Sequence, residues 1–293
     1  MRARRWQWGP GRSSCPRKAL QMEMVILVEN TAARKGLLAE HGLSVHLRGG
    51  GREFLFDTSA SPQALSANAS ALGIDLAAVE AVIISHGHLD HTGGLPAVLS
   101  ARPGLAVYAH PMAFARRWAA PPGKPRREIG WQTTPADLAR QGGRFVPVEA
   151  PCRLGDELLI AGPIPGPQPA LDHFLVQDGQ QVVTDTFRDE LFLMIRGRAG
   201  WTVLTGCCHR GLPNTLRLAR ELIGDDPINM VLGGFHLGQA GPEELAEAAA
   251  ALAEANPNVV YACHCTGRTG REYLAGQLPG RVLSLGGGVR FEL

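Results

Sequence analysis

The segment His86-Gly87-His88-Leu89-Asp90-His91 decides how this chain folds and what the fold can hold. It follows the run Glu80-Ala81-Val82-Ile83-Ile84-Ser85, which is apolar, β-branched and short enough to be a buried strand. Three imidazoles and one carboxylate therefore lie within six positions, on a loop that begins where a strand ends. Because a solvated loop has no need of such a set, the segment predicts a metal site.

Neutral imidazole and carboxylate groups are ligands that zinc, manganese and iron accept, and three or four of them leave a coordination position for water. We expect His86 and His88 to face one ion, and Asp90 and His91, one turn further on, to face a second. A bound metal lowers the pKa of its water from 15.7 to about 7, which makes that water a nucleophile at neutral pH. Asp90 is the candidate group that orients this water or accepts its proton.

Length and composition favour one large domain. The chain has 293 residues, of which 45% are hydrophobic and 19% charged, enough for one α/β core over residues 23–293. No window is long and apolar enough to cross a bilayer, so no membrane partner is expected. Residues 1–22 contain six basic residues and no acidic one, without any apolar period. They are predicted to be a disordered basic tail, unless Met22 or Met24 is the true start.

The remainder of the chain has 23 basic and 27 acidic residues, which argues against a nucleic-acid partner. The six cysteines show no disulfide-scaffold spacing and favour a reducing, cytoplasmic compartment; they are Cys15, Cys152, Cys207, Cys208, Cys263 and Cys265. Four of them flank histidines. A closed, cysteine-rich zinc site is a weaker interpretation than buried thiols near the site, because the two-residue spacing of such sites is missing.

The hydrophobic pattern predicts two β-rich halves, each closed by helices. Strands are expected at residues 24–28, 43–47, 54–56, 81–84, 105–109, 145–148, 157–160, 174–177, 190–195, 201–205, 228–232 and 259–262. Helices are expected at residues 61–72, after 75, and at 94–100, 213–223, 242–255 and after 269. Residues 121–127 break both periods and predict a basic loop. The pattern as a whole suggests two sheets face to face with helices outside.

Three further histidines, His209, His236 and His264, each follow a predicted strand. Open α/β sheets place their ligand sites at such strand ends. Each histidine alone could be a core residue or a ligand. Together with the first segment, they predict a site to which distant parts of the chain converge.

From Met24 onward the chain resembles the metallo-β-lactamase superfamily, whose metal motif is HxHxDH after a strand. Its later motifs resemble a narrower branch, often named for dihydropterin-ribofuranosylaminobenzene-phosphate synthase, an enzyme of methanopterin biosynthesis. These motifs are Glu29-Asn30-Thr31, Glu40-His41-Gly42-Leu43-Ser44, Phe56-Asp57-Thr58, Gly206-Cys207-Cys208-His209, Gly233-Gly234-Phe235-His236-Leu237 and His264-Cys265-Thr266-Gly267.

The resemblance implies an α/β (α+β) fold, a four-layer αββα sandwich with metals at one edge of the sheets. The ligands that match the superfamily directly are His86, His88, Asp90 and His91. By chain order, His264 is the final ligand. Many members have Gly-Asp at Gly206-Cys207, with the aspartate bridging two metals, so His209 or the thiolate of Cys207 would take that place.

The resemblance also suggests roles around the metals. His236 would serve substrate binding or proton transfer, or act as a ligand. Asp57 would support the ligands from behind, the alternative being a turn cap at a strand end. Asn30 and Thr266 are expected to contact substrate.

Basic residues after the first predicted sheet are candidates for binding an anionic substrate, Arg126 and Arg127 foremost; the others are Arg116, Arg117 and Lys124. An exposed, solvated loop is the alternative interpretation.

The leading hypothesis is a metal-dependent hydrolase with two divalent ions, zinc first and manganese or iron as alternatives, acting on a small anionic, phosphorylated molecule. A second is a transferase like the pterin synthase, which releases pyrophosphate. A third is a ligand-binding protein that keeps the fold without catalysis. The sequence leaves the oligomeric state open, a homodimer included.

Overall fold

The computed structural model describes residues 21–169 and 171–293. The predicted basic tail lies outside these residues apart from Gln21 and Met22. Met22 is buried, and its carbonyl accepts a hydrogen bond from the amide of Leu293 at 2.9 Å. None of the helices formed by the described residues has the length and apolar character that crossing a membrane requires.

The described residues form eighteen strands and seven α-helices. The strands are β1 (Glu23–Val28), β2 (Ser44–Gly49), β3 (Arg52–Phe56), β4 (Ala81–Ile83), β5 (Leu105–Ala109), β6 (Arg117–Ala119), β7 (Arg127–Glu128), β8 (Gly143–Pro147), β9 (Cys152–Arg153), β10 (Leu158–Ala161), β11 (Phe174–Asp178), β12 (Gln181–Thr184), β13 (Phe192–Gly197), β14 (Gly200–Thr205), β15 (Ile228–Gly234), β16 (Val259–Cys263), β17 (Val282–Leu283) and β18 (Arg290–Glu292). The helices are α1 (Pro62–Leu72), α2 (Leu89–Thr92), α3 (Leu95–Ala101), α4 (Pro135–Arg140), α5 (Leu212–Ile223), α6 (Pro242–Ala255) and α7 (Gly267–Gln277).

Two seven-stranded sheets form the middle of the molecule. The first has the order β18-β1-β2-β3-β4-β5-β8 and the second the order β17-β16-β15-β14-β13-β10-β9. One apolar cluster joins side chains of both sheets, such as Phe56 and Ile83 with Leu193 and Leu232. Separate clusters join α1 and α3 to the outer face of the first sheet, and α5, α6 and α7 to that of the second. The predicted αββα sandwich is confirmed.

The predicted strands are present with ends shifted by a few residues, and so are the predicted helices, except that the segment after residue 75 forms only a three-residue 3₁₀ turn, Leu76–Ala78. The helix expected after residue 269 begins earlier, at Gly267. Several short elements were not predicted, because segments of two to six residues show too little of a period. They are β6, β7, β9, β12, β17, β18, α2 and α4.

A third sheet, with the order β12-β11-β6-β7, is the main feature that the sequence did not indicate. We call this four-stranded sheet the cap. It corrects the prediction that residues 121–127 form only a loop, since Arg127 pairs with Ala119 in the cap. Residue 88, in the HxHxDH segment, forms a single antiparallel bridge with Gly130, just beyond β7, so the cap is joined directly to that segment.

Candidate metal centre

The histidines converge because parallel strands end at one rim. In the first sheet β3 and β4 are parallel neighbours, and in the second β14, β15 and β16 are parallel to one another. Each of these strands ends just before a residue of the site. Those residues are Asp57 after β3, His86 after β4, Cys207 after β14, His236 after β15 and His264 after β16. The chain therefore brings distant segments together at the carboxyl ends of its strands.

His86, His88 and His209 form the first set of candidate ligands. Each offers a ring nitrogen, and these atoms lie within 4.8 Å of one another. All three side chains are buried. Nε2 of His86, Nε2 of His88 and both ring nitrogens of His209 have no hydrogen-bond partner among the described residues. A buried polar atom without a partner destabilises a fold by about 1–3 kcal/mol, so four such nitrogens in one place fit a site that binds a metal ion.

The protonation state of this set suits a metal. Burial, together with the neighbouring histidines, holds the pKa of His86 and of His209 well below the ordinary value of 6.5. Burial also holds the pKa of His88 well below that value. The rings are therefore neutral at pH 7, which is the form that binds a divalent ion.

Asp90, His91 and His264 form the second set. Oδ2 of Asp90 lies 3.6 Å from Nε2 of His91 and 3.4 Å from Nε2 of His264, and these two nitrogens are 3.2 Å apart. Burial opposes ionisation of Asp90, but the charge of His91 and hydrogen bonds from His264 and His41 lower its pKa well below the usual range. Burial likewise opposes protonation of His91, while the carboxylates of Asp57 and Asp90 raise its pKa to about 9. The set therefore attracts positive charge, which a metal would supply in place of a proton.

Cys207 lies between the two sets. Its Sγ is 3.2 Å from Nε2 of His91. It is also within 4.8 Å of ligand atoms of the first set, through His86 and His209, and of the second, through His264. This is the place that the sequence assigned to a residue substituting for the bridging aspartate. The thiol, rather than His209, is central to both sets.

Asp57 orients two histidines from behind. Its Oδ2 accepts a hydrogen bond from Nδ1 of His91 at 2.6 Å and another from Oγ of Ser85 at 2.7 Å. Oγ of Ser85 in turn lies 2.9 Å from Nδ1 of His86, from which it accepts. Because each Nδ1 is engaged as a donor, the Nε2 lone pairs of both rings point to the site. Asp57 is fully buried. This contact pattern is that of a carboxylate supporting metal-bound histidine.

We expect Asp57→Asn to weaken metal binding about 10- to 100-fold, since Asp57 accepts on both carboxylate oxygens, from Ser85 and His91, and an amide has one acceptor oxygen and an NH₂ group that only donates. A competition titration with a zinc chelator measures this affinity. Asp75→Asn is the matched control, because Asp75 is an exposed carboxylate that only accepts from the amide of Ala77. Equal affinity in the Asp57 variant and the wild type would remove Asp57 from the site.

Three side chains position His264, and the sequence analysis assigned this role to none of them. Oε1 of Glu29 accepts from its backbone amide at 2.8 Å, and Oδ1 of Asn30 lies 2.9 Å from its Nδ1. Asn30 was expected to contact substrate, and the structure instead shows it orienting a candidate ligand. His41 stacks on His264 with ring centroids 4.9 Å apart, and its Nε2 lies 3.2 Å from Oδ2 of Asp90. Glu29, Asn30 and His41 all lie in the branch motifs, but the sequence analysis assigned no role to Glu29 or His41.

His209 is fixed through its backbone. The carboxylate of Glu190 accepts hydrogen bonds from the amides of His209 and Arg210, at 2.7 and 2.6 Å. Burial raises the pKa of Glu190 to about 7. Nothing in the sequence marked Glu190, because it is the last of three consecutive charged residues, Arg188-Asp189-Glu190, before β13.

The cap fixes the HxHxDH segment through Arg117. This arginine was predicted to receive an anionic substrate, but it is 1% exposed and pairs with Asp185 and Asp189, both at 2.7 Å. Asp189 also accepts from the amide of Gly87, at 2.8 Å. A Cβ on Gly87 would collide with the backbone of Ala113, so only glycine fits between the two first histidines. Arg117 is therefore structural, and it links the cap to the ligands.

Aromatic rings close the first set. The ring of Phe187 stacks on His209 with centroids 4.2 Å apart. Phe174, from β11 of the cap, lies 5.7 Å from His88, 5.4 Å from His209 and 5.6 Å from His236. His236 is half-buried, with its ring 4.3 Å from that of His209 and its Nδ1 without a partner. These positions are compatible with all three roles predicted for His236, which are substrate binding, proton transfer and ligation of a metal.

Three other residues were expected to contact substrate: Thr266, Arg126 and Arg127. Thr266 is fully buried, and its hydroxyl accepts from the amide of Phe235 at 3.0 Å, so it shapes the turn before His236. Arg126 lies with its guanidinium 3.9 Å from the ring of Trp118. Arg127 is exposed in β7. The cysteines described by the structure are all free thiols.

Backbone strain concentrates at the site. Asp57, His236 and His264 have φ angles of 56°, 51° and 49°, in the left-handed region that residues other than glycine seldom adopt. Each such residue destabilises the fold by about 1–3 kcal/mol, and such residues cluster at functional sites. The surrounding hydrogen bonds hold them there.

Comparisons with known proteins agree with this geometry. The chain matches the sequence model of the metallo-beta-lactamase superfamily over residues 39–264. It is 29% identical over 241 residues to 7,8-dihydropterin-6-methyl-4-(beta-D-ribofuranosyl)-aminobenzene-5'-phosphate synthase of Methanocaldococcus jannaschii, covering 78% of this chain and 82% of that protein. A solved structure described as a metal-dependent hydrolase of the beta-lactamase superfamily is 30% identical, with a TM-score of 0.79, covering 93% of this chain and 99% of that one. A diphosphatase from the PhnP family shares the fold, with a TM-score of 0.56 and 14% identity over 93% of this chain and 97% of that one.

The fold and the two histidine sets are those of a metal-dependent protein. The chain belongs to the metallo-beta-lactamase superfamily. Within it, the chain is similar to the pterin synthase named above. The resemblance inferred from HxHxDH and the later motifs is thereby confirmed.

Proposed function

We propose that the protein is a metal-dependent hydrolase that acts on a small phosphorylated molecule. The observation that carries this proposal is the pair of ligand sets, His86, His88 and His209 on one side and Asp90, His91 and His264 on the other, with Cys207 between them. When bound, two divalent ions would act as Lewis acids on a phosphoryl oxygen and lower the pKa of water.

The chain's own groups supply positioning and proton control. Asp90 has a side-chain exposure of 21% and is the carboxylate of the second set that solvent reaches. Asn30 donates to Nδ1 of His41 at 3.3 Å, so Nε2 of His41 carries the proton that faces Asp90. The side chain of His41 is 68% exposed, and protons can be exchanged with solvent there. Phe174 and Phe187 exclude water from the first set.

A transferase is the second candidate, since the synthase relative covers most of the chain at 29% identity. In that reaction the same two sets would hold the diphosphate that leaves. The ligand sets suit both reactions, because both need positive charge beside phosphoryl oxygens.

The protein loaded with zinc or manganese should hydrolyse bis(4-nitrophenyl) phosphate, and the rate should vanish with EDTA and return with added metal. The same preparation is tested for pyrophosphate release from a pterin diphosphate with an aminobenzene riboside phosphate. Pyrophosphate release that requires both substrates, without diester cleavage, would replace the hydrolase proposal with the transferase. No turnover with either set of substrates, in protein shown to contain metal, would contradict both.

A further inference from the structure

We propose that Arg127 forms an anion subsite on the cap, which holds a phosphate of the ligand other than the phosphoryl group that reacts. This inference rests on the proposed function, because it names the substrate class for the same site. The ligand it predicts is a phosphomonoester that also carries a second, reacting group.

The strand register places Arg127 on the face of the cap that meets the histidines. Phe174 of β11 pairs with Ala119 of β6, and Ala119 pairs with Arg127 of β7. Directly opposed residues of antiparallel strands point to the same face of a sheet. Phe174, Ala119 and Arg127 therefore form one row across the cap.

The position of Phe174 identifies that face as the inner one, because its ring packs against His88, His209 and His236. Ala119 has only a methyl group and leaves space in the row between the phenyl ring and the arginine. Two strand spacings of about 4.8 Å separate the backbones of Arg127 and Phe174. A phosphate bound at Arg127 is thus held beside the metal centre and not on it.

Arg127 differs from the other arginines of the cap because its guanidinium has no partner among the described residues. Arg116 forms an ion pair with a glutamate at 3.0 Å, and Arg117 forms ion pairs with two buried aspartates. Arg126 stacks on Trp118. Trp118 points to the outer face of the cap, since its neighbour in the strand, Arg117, points to the inner face. Arg127 is exposed, and no hydrogen bond, ion pair or ring contact joins it to the described part of the chain. An arginine fork in this state is suited to bidentate binding of a phosphate.

The test measures the dissociation constant of phenyl phosphate by calorimetry with the metal-loaded, full-length protein. Arg127→Gln should raise Kd about tenfold, the loss of charge-assisted hydrogen bonds at an exposed site, and Arg127→Lys should recover part of the affinity. Arg126→Gln makes the same change of charge one residue away on the outer face. It should alter Kd less than twofold.

Unchanged affinity in Arg127→Gln would overturn the subsite, and so would an equal loss in the Arg126 variant, which would indicate only the general field of the basic loop. Metal content and diester cleavage are measured on the same samples. If the wild type binds no metal while Arg127→Gln loses phenyl phosphate, the proposed function fails and the subsite stands. If metal and cleavage are intact and the Arg127 variant binds as the wild type does, only the subsite fails.

Discussion

Replacing His209 with alanine should remove the metal of the first set and lower turnover by at least about a thousandfold, because a metal contributes several kcal/mol of charge stabilisation and 1.36 kcal/mol is tenfold in rate. Of the three imidazoles in that set, His209 is the one that comes from the second sheet, with both ring nitrogens buried and unpartnered. Its loss leaves the set with His86 and His88, too few for a stable site.

Metal content by atomic emission and the rate of diester cleavage check this result together. His110→Ala is the control, because His110 caps a short helix by accepting from the amide of Met112 and takes no part in the ligand sets. A His209 variant with two ions per chain and full activity would mean that the buried ring serves packing alone.

The second large effect is expected from Arg117→Met, which should lower the free energy of unfolding by about 3–5 kcal/mol, since removing one partner leaves buried charge uncompensated. Asp185 and Asp189 would keep their carboxylates in the interior without the guanidinium that pairs with both. Urea unfolding with EDTA present measures the change without any contribution from metal.

Arg116→Met is the matched control from the adjacent position. Arg116 is exposed, and its pair with Glu128 is screened by water, so the free energy of unfolding should stay nearly constant. Metal affinity separates a local from a global effect, because Asp189 also holds the amide of Gly87. We expect Arg117→Met to weaken metal binding as well. If the two methionine variants had the same free energy of unfolding, the buried ion pair would not anchor the cap.

The core of the fold and the first part of the site could be predicted because their signals are local. A run of β-branched residues before HxHxDH predicts a strand with ligands at its end, and the structure has both in place. His209 and His264 could be predicted for the same reason, as polar residues that follow apolar strands. The sheet topology brings these residues together, because the parallel strands β14, β15 and β16 end at one rim.

The cap could not be predicted, because its pairing is non-local and its strands are short. β6 has three residues and β7 has two, which is below the length at which alternation is visible. The true role of Arg117 depends on this pairing. A basic residue among other basic residues looks exposed in sequence, and only the fold shows that two aspartates some seventy positions later neutralise it.

Supporting groups were missed for a related reason. Glu29, Glu190 and His41 act through backbone amides or through another side chain, and the sequence contains no pattern for such contacts. Asp57 was found only through resemblance to a family. A carboxylate just after a buried strand is equally compatible with a turn cap, and its contacts with His91 and Ser85 decide between the two.

The most direct measurement is anomalous X-ray scattering from crystals of the full chain grown with zinc. The account predicts two zinc peaks, one about 2.0–2.1 Å from Nε2 of His86 and of His88 with His209 as the third ligand, and one bounded by Asp90, His91 and His264. It also predicts density for Sγ of Cys207 between them. Zinc elsewhere on the chain, or none at these histidines in crystals that hold the ion, would contradict the account.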